Sequence, residues 1–260
     1  MGIINCTPDS FYDLSRRPGA EQAALAAGEM VSQGADILDV GGESTRPGSA
    51  YVPEEEELSR VIPVIRAIRE KLTVPISVDT RKRRVAEAAL DAGADIINDI
   101  SAMRDDPDMV RLAADRGCPV VLMHMQGTPE DMQKNPRYRD VVDEVKSFLL
   151  EQAERAVAAG VDPSRIVLDP GIGFGKRQED NIVLIRRIAE FREEGYPVLV
   201  GLSRKSFIGN ILGTPPEERL VGSLTANGWC AARGADILRV HDVKETVQMI
   251  RILREILWTG

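Results

Sequence analysis

Apolar runs of four or five residues alternate with longer stretches of helical apolar spacing from one end of this sequence to the other, as expected of βα units joined into a parallel sheet. The runs predict strands near 2–5, 36–40, 75–79, 95–98, 119–123, 165–169, 197–201 and 236–240. The amphipathic stretches predict helices near 20–33, 54–71, 82–92, 106–116, 139–159, 178–193, 216–233 and 242–257. Eight such pairs predict an α/β protein, a TIM (β/α)8 barrel forming a single domain over 1–260, since such barrels use about 250 residues. One phrase occurs three times: Gly34-Ala35-Asp36-Ile37-Leu38-Asp39, Gly93-Ala94-Asp95-Ile96-Ile97-Asn98 and Gly234-Ala235-Asp236-Ile237-Leu238-Arg239. Each copy follows helical spacing, so its glycine suits the left-handed position that closes a helix, and its apolar pair starts a buried strand. Each then ends on a polar residue, which places Asp39, Asn98 and Arg239 at one mouth of the barrel.

The strand-to-helix connections 6–19, 40–53, 124–138, 170–177 and 202–215 are long and rich in Gly, Pro, Ser and Arg, whereas the return connections are brief. A site is therefore expected on one face. The run Glu54 to Glu57 behind Pro53 fits a helix start, where carboxylates meet the positive end of the dipole. In the last helix Val243, Val247, Ile250 and Leu257 form one apolar stripe and Met249, Ile252 and Ile256 another, so more than one side is expected to be covered, in support of a homodimer.

A hydrophobic content of 43% is enough for one substantial core, while the net charge of −8, with no segment dominated by Lys or Arg, argues against a nucleic-acid or membrane-surface partner. An anionic substrate would need a local basic pocket. No apolar run approaches the ~18 residues of a membrane span. Met1 leads straight into Gly2-Ile3-Ile4-Asn5 without a basic-then-apolar leader, so a cytoplasmic location is expected. Cys6, Cys118 and Cys230 are odd in number and far apart, which predicts free thiols rather than a zinc site.

Chemistry collects at the strand ends: Asn5, Asp39, Asp79, Asn98, Met123 with His124, Asp169, Gly201 with Ser203 and Lys205, and Arg239 with His241. The segment Asp169-Pro170-Gly171-Ile172-Gly173-Phe174-Gly175-Lys176 invites a nucleotide reading that its spacing defeats. Only three residues separate Gly171 from Gly175, Arg177 stands where a P-loop needs Ser or Thr, and the glycines lack the dinucleotide spacing. It reads instead as a tight loop that lets backbone and Phe174 approach a flat ligand beside Asp169.

The phrases Asn5-Cys6-Thr7-Pro8-Asp9-Ser10-Phe11, Gly41 to Gly48, Ser77-Val78-Asp79-Thr80, Asn98-Asp99-Ile100-Ser101, Met123 to Pro129, Asp169 to Lys176, Ser203-Arg204-Lys205-Ser206 and Arg239-Val240-His241-Asp242 resemble, in order and at ordinary spacing, those of the dihydropteroate synthase family of pterin-binding barrels. The resemblance covers almost the whole chain. It implies a transferase of folate synthesis that joins 6-hydroxymethyl-7,8-dihydropterin diphosphate to 4-aminobenzoate and releases pyrophosphate.

It also implies roles for particular residues. The pterin pocket would comprise Asp79, Asn98, Met123, Asp169, Phe174, Gly201 and Lys205. The Asp169 carboxylate suits the amino group and ring N–H that a pterin edge presents side by side, Asn98 suits a mixed donor and acceptor pattern, and Asp79 takes further ring N–H donors. Lys205 would donate to the pterin. Asn5, Thr45, Arg239, Val240 and His241 would hold the diphosphate, with Asn5 also offering its side-chain oxygen to a Mg²⁺. Phe11, Thr45, Arg46, Pro47, Phe174 and Ser203 would shape the aminobenzoate pocket. Asp79, Lys205, Arg239 and His241 carry the catalytic expectation, an SN1-like displacement in which stabilised pyrophosphate leaves first, since an aromatic amine needs no strong base.

Two departures stand out. The family commonly continues Ser-Asp-Gly-Gly after its first phrase, but here Tyr12-Asp13-Leu14-Ser15 follows, which predicts a less easily closed loop. The sequence also starts at the first strand, where many relatives carry a leader hairpin, a departure that a truncated or minimal form would account for. The rival readings are a non-catalytic pterin-binding protein, a pterin-binding methyltransferase, against which Asn5, Arg239 and His241 count, and an unrelated phosphate-binding barrel sharing only the architecture.

Overall fold

Each of the predicted apolar runs becomes a parallel strand in the computed structural model, which describes residues 1–6, 17–45 and 48–257. The order is β1 (Gly2–Asn5), α1 (Arg17–Ser32), β2 (Leu38–Gly41), α2 (Glu54–Arg69), β3 (Ile76–Asp79), α3 (Arg83–Asp91), β4 (Ile96–Asp99), α4 (Met109–Arg116), β5 (Val120–Met123), α5 (Val141–Ala158), β6 (Ile166–Asp169), α6 (Gln178–Arg186), α7 (Ala189–Arg192), β7 (Leu199–Val200), α8 (Ser206–Leu212), α9 (Leu220–Ala231), β8 (Ile237–Leu238) and α10 (Val243–Leu257).

Strands β1 to β6 form one continuous parallel sheet and β7 pairs with β8. Parallel bridges Leu168 to Val198 and Gly2 to Val240 close these two pieces into a ring. This is the TIM barrel that the alternation predicted. The register sets Asp79 beside Gly41 on one side and Asn98 on the other, and Met123 beside Asp169, so these residues share one end.

The repeated phrase has two structural jobs at the opposite end. Gly34, Gly93 and Gly234 all adopt positive φ, 103°, 109° and 96°, as helix-closing glycines do. In two copies the following aspartate also braces the neighbouring strand: Asp95 Oδ2 accepts the Ile76 N–H at 2.8 Å and Asp236 Oδ2 accepts the Val198 N–H at 2.8 Å. The outward strand residues Leu38, Val40, Ile76, Val78, Ile97, Leu122, Ile166 and Leu168 are buried against Val61, Ile65, Ile68, Val145 and Leu149 of the helices, each side chain contributing about 1.5–3 kcal/mol.

Several boundaries differ from the prediction. The helix expected over 178–193 breaks at Arg187 (φ −102°, ψ 22°), whose guanidinium binds Glu190 and Asp140. The connection 202–215 contains α8, which buries Phe207 and Ile208 and ends on left-handed Gly213. The helix expected from 216 starts at Leu220 behind a short 3-10 turn, Pro216–Glu218. Strands β7 and β8 span two residues, and their pairing carries on through Arg239 N–H to Val200 O at 2.9 Å. In α10 the stripes exchange members: Val243, Val247, Met249 and Ile250 pack on the core, while Ile252, Ile256 and Leu257 are exposed. No helix among the described residues is long and apolar enough to cross a membrane.

Candidate active site at the barrel mouth

A guanidinium between two carboxylates occupies the centre of the strand ends. Arg239 donates from Nε to Asp39 Oδ2 at 2.6 Å and from Nη2 to Asp79 Oδ2 at 2.7 Å, and Asn98 Nδ2 reaches both Asp39 oxygens at 3.3 Å. The planar fork of arginine suits this bridge. Burial pushes the Asp79 carboxyl up to about 7, against the pull of Arg239 and with the push of Asp39. Arg239, expected at a diphosphate, is here committed to carboxylates. Asp39, fully buried, received no role from the sequence beyond facing the mouth, although it holds the same place in the repeated phrase as Asn98 and Arg239.

The glycine loop is fixed by side chains from four directions. Its carbonyls accept from Lys205 (Ile172 O), Gln133 (Gly173 O, 2.8 Å), Lys176 (Phe174 O, 3.1 Å) and Tyr138 (Gly175 O, 2.7 Å). Its amides donate to Asp169 Oδ1 (Gly171, 2.7 Å) and Asn181 Oδ1 (Gly173, 2.7 Å). A Cβ on Gly171 would lie 1.9 Å from His124 O, and one on Gly175 would lie 2.3 Å from Gln126 O. Both glycines also have positive φ, so only glycine fits this close crossing of two connections.

The loop places Phe174 under Lys205, whose ammonium stands 4.7 Å from the ring centroid, a cation–π contact. Phe174 also packs on Ile100, Met123, Met125 and Met132, an apolar floor beside Asp169. Burial raises Asp169, opposed by Lys205 and the Gly171 N–H. Burial lowers Lys205 to about 8, opposed by Asp169. Lys176, buried, donates to His124 Nδ1 at 2.9 Å and to His124 O at 3.3 Å. Burial, helped by the neighbouring Lys176 and Arg104, holds His124 down at about 2, and burial likewise pulls Lys176 well below the ordinary lysine range, so the imidazole is neutral and structural. Gln133, Tyr138 and Lys176 carried no signal of this role in the sequence beyond lying in long connections.

On the far side Gly201 lies where an added Cβ would meet Lys205 Nζ at 3.8 Å and Arg239 Cβ at 3.9 Å. His241 Nδ1 and Ser203 Oγ are 3.1 Å apart, and the His241 N–H also reaches that hydroxyl at 3.3 Å. Val240 is a correction to the expected diphosphate set. Its N–H donates to Met1 O at 2.9 Å and its C=O accepts from Ile3 at 3.1 Å, so the barrel seam takes the backbone groups a phosphate would have used. Asn5 and Thr45 are half-buried at the rim. Phe11, Arg46 and Pro47, like Tyr12, Asp13, Leu14 and Ser15, lie outside the described residues. Among the described residues no cluster of three or more His, Cys, Asp or Glu side chains is disposed to hold a metal ion.

Residues 1–241 match the family described as pterin binding enzyme. The chain belongs to the pterin binding enzymes. Within that family it is 50% identical to the dihydropteroate synthase of Escherichia coli (strain K12), over 97% of this chain and 89% of that relative. The solved dihydropteroate synthase of Yersinia pestis, determined with a sulfonamide drug complex, superposes with a TM-score of 0.93 at 45% identity, covering 98% of this chain and 93% of that one. That of Xanthomonas albilineans, determined with 4-aminobenzoic acid, gives 0.93 at 47% identity over 100% and 93%. The pterin binding enzyme mouth thus combines buried acceptors on β2, β3, β4 and β6 with cations beyond β7 and β8.

Proposed function

We propose that this protein joins 6-hydroxymethyl-7,8-dihydropterin diphosphate to 4-aminobenzoate, giving 7,8-dihydropteroate and pyrophosphate. The observation that carries this reading is the mouth itself. Buried Asp79, Asn98 and Asp169 face Lys205, Arg239 and His241, in a chain half identical to a dihydropteroate synthase.

Asp169 takes the pterin amino group and adjacent ring N–H, Asn98 the mixed edge, and Asp79 a further ring N–H, while Lys205 donates from above Phe174. Met123 and Gly201 complete the pocket, as part of its apolar floor and as a side-chain-free position between Lys205 and Arg239. Arg239 and His241 receive the diphosphate, with Asn5 and Thr45 at its rim, and Val240 contributes only its place in the seam. When the pterin diphosphate enters, its negative oxygens compete with Asp39 and Asp79 for the Arg239 fork.

A single amide oxygen from Asn5, with no carboxylate or histidine cluster among the described residues, fits a Mg²⁺ that keeps waters and takes phosphate oxygens. Asn5 would hold it, and the bound ion supplies charge neutralisation to the departing pyrophosphate. Arg239 and His241 stabilise the same leaving charge, so the C–O bond breaks first and the methylene carbon gains cation character beside the Asp79 carboxylate. The neutral aromatic amine then attacks that carbon and releases its proton. Thr45, Phe174 and Ser203 line the side the amine enters from, a role the family resemblance also implies for Phe11, Arg46 and Pro47.

Residues 1–260 act as one domain, and the exposed Ile252, Ile256 and Leu257 on α10 with Trp229 on α9 support a homodimer through that face. The described cysteines are all free, which fits a reducing, cytoplasmic setting. The test is pyrophosphate release by the purified protein with the dihydropterin diphosphate, Mg²⁺ and 4-aminobenzoate, the product identified by mass. Product that depends on all three is expected. Binding of the diphosphate without product would leave the non-catalytic rival.

A further inference from the structure

Five charged side chains with no part in the proposed reaction form a knot beside the mouth. Glu43 lies in the connection after β2, Arg81 and Lys82 follow β3, Glu57 is on α2 and Asp105 follows β4. Arg81 donates from Nη2 to Glu43 Oε1 at 2.5 Å and from Nη1 to Asp105 Oδ2 at 2.8 Å. Lys82 Nζ donates to Glu43 Oε2 and, at 2.5 Å, to Glu57 Oε2. The Glu43, Arg81, Lys82 and Glu57 side chains are 6%, 6%, 4% and 1% exposed. Tyr51, from the same connection as Glu43, lies over both cations, 4.6 Å from Arg81 Cζ and 4.2 Å from Lys82 Nζ.

Withdrawing such ions from water costs several kcal/mol each, and well-packed apolar residues often serve stability as well or better. Direction is what an apolar patch would not supply. The two Glu43 oxygens are taken by two different cations, which fixes the carboxylate in orientation as well as in place. The connection is drawn tight around it: Gly42 O accepts from Arg60 at 2.8 Å, Ser44 and Ser49 hydroxyls meet at 2.9 Å, and Gly48 N–H donates to Pro129 O at 2.9 Å. Glu43 stands two residues before Thr45, and Arg81 two residues after Asp79. Between Asp79 and Arg81, the Thr80 N–H donates to Asn98 O at 3.0 Å. The knot thus ties the strand ends that bear Asp79 and Asn98 to the connection that bears Thr45.

We propose that Glu43, gripped by Arg81 and Lys82, is a positioning residue that sets where Thr45 and its connection stand relative to Asp79, and so governs the aminobenzoate side of the site. The identity of that second substrate rests on the function proposed above; the grip on the connection does not. Glu43 touches neither substrate and acts through the backbone it holds.

The experiment compares Glu43→Gln, Glu43→Asp, Lys82→Met and Lys82→Arg in the full chain. Amide hydrogen exchange at Ser44, Thr45 and Ser49 is measured beside the KM for 4-aminobenzoate and the Kd for the dihydropterin diphosphate. Glu43→Gln is expected to speed exchange and raise the aminobenzoate KM by about tenfold each, the value of one charge-assisted bond. The pterin diphosphate Kd, to which Thr45 contributes only at the rim, rises by a clearly smaller factor than the aminobenzoate KM, and Lys82→Arg recovers most of what Lys82→Met loses. Glu43→Asp keeps the charge with a shorter reach and shows the same direction at smaller size, which serves if Glu43→Gln does not fold. Unchanged exchange overturns the proposal, as does faster exchange with an unmoved aminobenzoate KM. A wild-type protein without turnover would remove the functional reading, and the exchange result would still decide the grip.

Discussion

From β2 to β6 the mouth carries short acceptors, Asp39, Asp79, Asn98 and Asp169, on four-residue strands in unbroken register. Beyond β7 and β8, which pair over two residues each, it carries the long cations Lys205 and Arg239 and the His241 ring. A carboxylate has few torsions between its oxygens and its strand, so the ladder itself places it. A lysine or arginine loses far more rotamer freedom on being fixed, and its head goes where partners hold it: Lys205 on Ile172 O and over Phe174, Arg239 between Asp39 and Asp79. One side of the site is therefore set by backbone and the other by electrostatics. The acceptors stand ready before any ligand arrives, while the cations are held by protein groups that an entering ligand would have to compete with.

The harshest way to break the backbone-placed side is Gly171→Ala, which forces a methyl to within 1.9 Å of His124 O at a φ of 65°. A loss of about 4 kcal/mol or more is expected, measured by denaturant unfolding. On the electrostatic side, Arg239→Met strips Asp39 and Asp79 of their shared cation and should cost about 3–5 kcal/mol. Adding Asp39→Asn should restore much of that stability while turnover stays lost; a double variant no more stable than the single one would show that shape, not charge, holds Arg239.

Asp169→Ala and Lys205→Ala should each lower dihydropterin diphosphate affinity by about 100-fold with the fold retained, read by calorimetry. Unchanged affinity in either removes that residue from the pocket. Both sides also titrate. In the proposed reaction Asp79 acts as a carboxylate beside the developing cation and Lys205 as an ammonium, so kcat/KM for the pterin diphosphate should rise with pH through about 7 and fall beyond about 8. The stability contribution of Asp79 has the opposite sign. Its raised carboxyl favours the folded state below the ordinary carboxylate range, and that benefit is lost as pH rises through about 7. The smallest expected effect is Tyr138→Phe, which removes one hydrogen bond from Gly175 O and should cost about 1 kcal/mol.

The same division explains what the sequence disclosed. Period and repeat located all eight strands, because burial on both faces writes itself as an apolar run, and strand ends then put Asp39, Asp79, Asn98 and Asp169 at one level. What remained hidden depends on contacts between distant connections. Nothing local in Gln133, Tyr138 or Lys176 tells that each seals a carbonyl of the glycine loop, and nothing in Val240 tells that the seam consumes its backbone. Arg239 was rightly put at the mouth, but its pairing with two carboxylates needs the closed ring. The α8 helix was legible, since Phe207, Ile208, Ile211 and Leu212 before Gly213 have helical spacing, yet the Gly- and Arg-rich surroundings read as loop.

The aspartates of the repeated phrase brace the bottom of the barrel across short stretches of chain, Asp95 to Ile76 over 19 residues and Asp236 to Val198 over 38. During folding, loop-closure entropy grows with such separations, and contacts this near in sequence form early. Strand alignment in these pairs is thus a neighbourly affair that closes only a short loop. The meeting of Gly2 with Val240 joins the two ends of the sequence, so closing the ring asks more of the chain's entropy than aligning any neighbouring pair of staves.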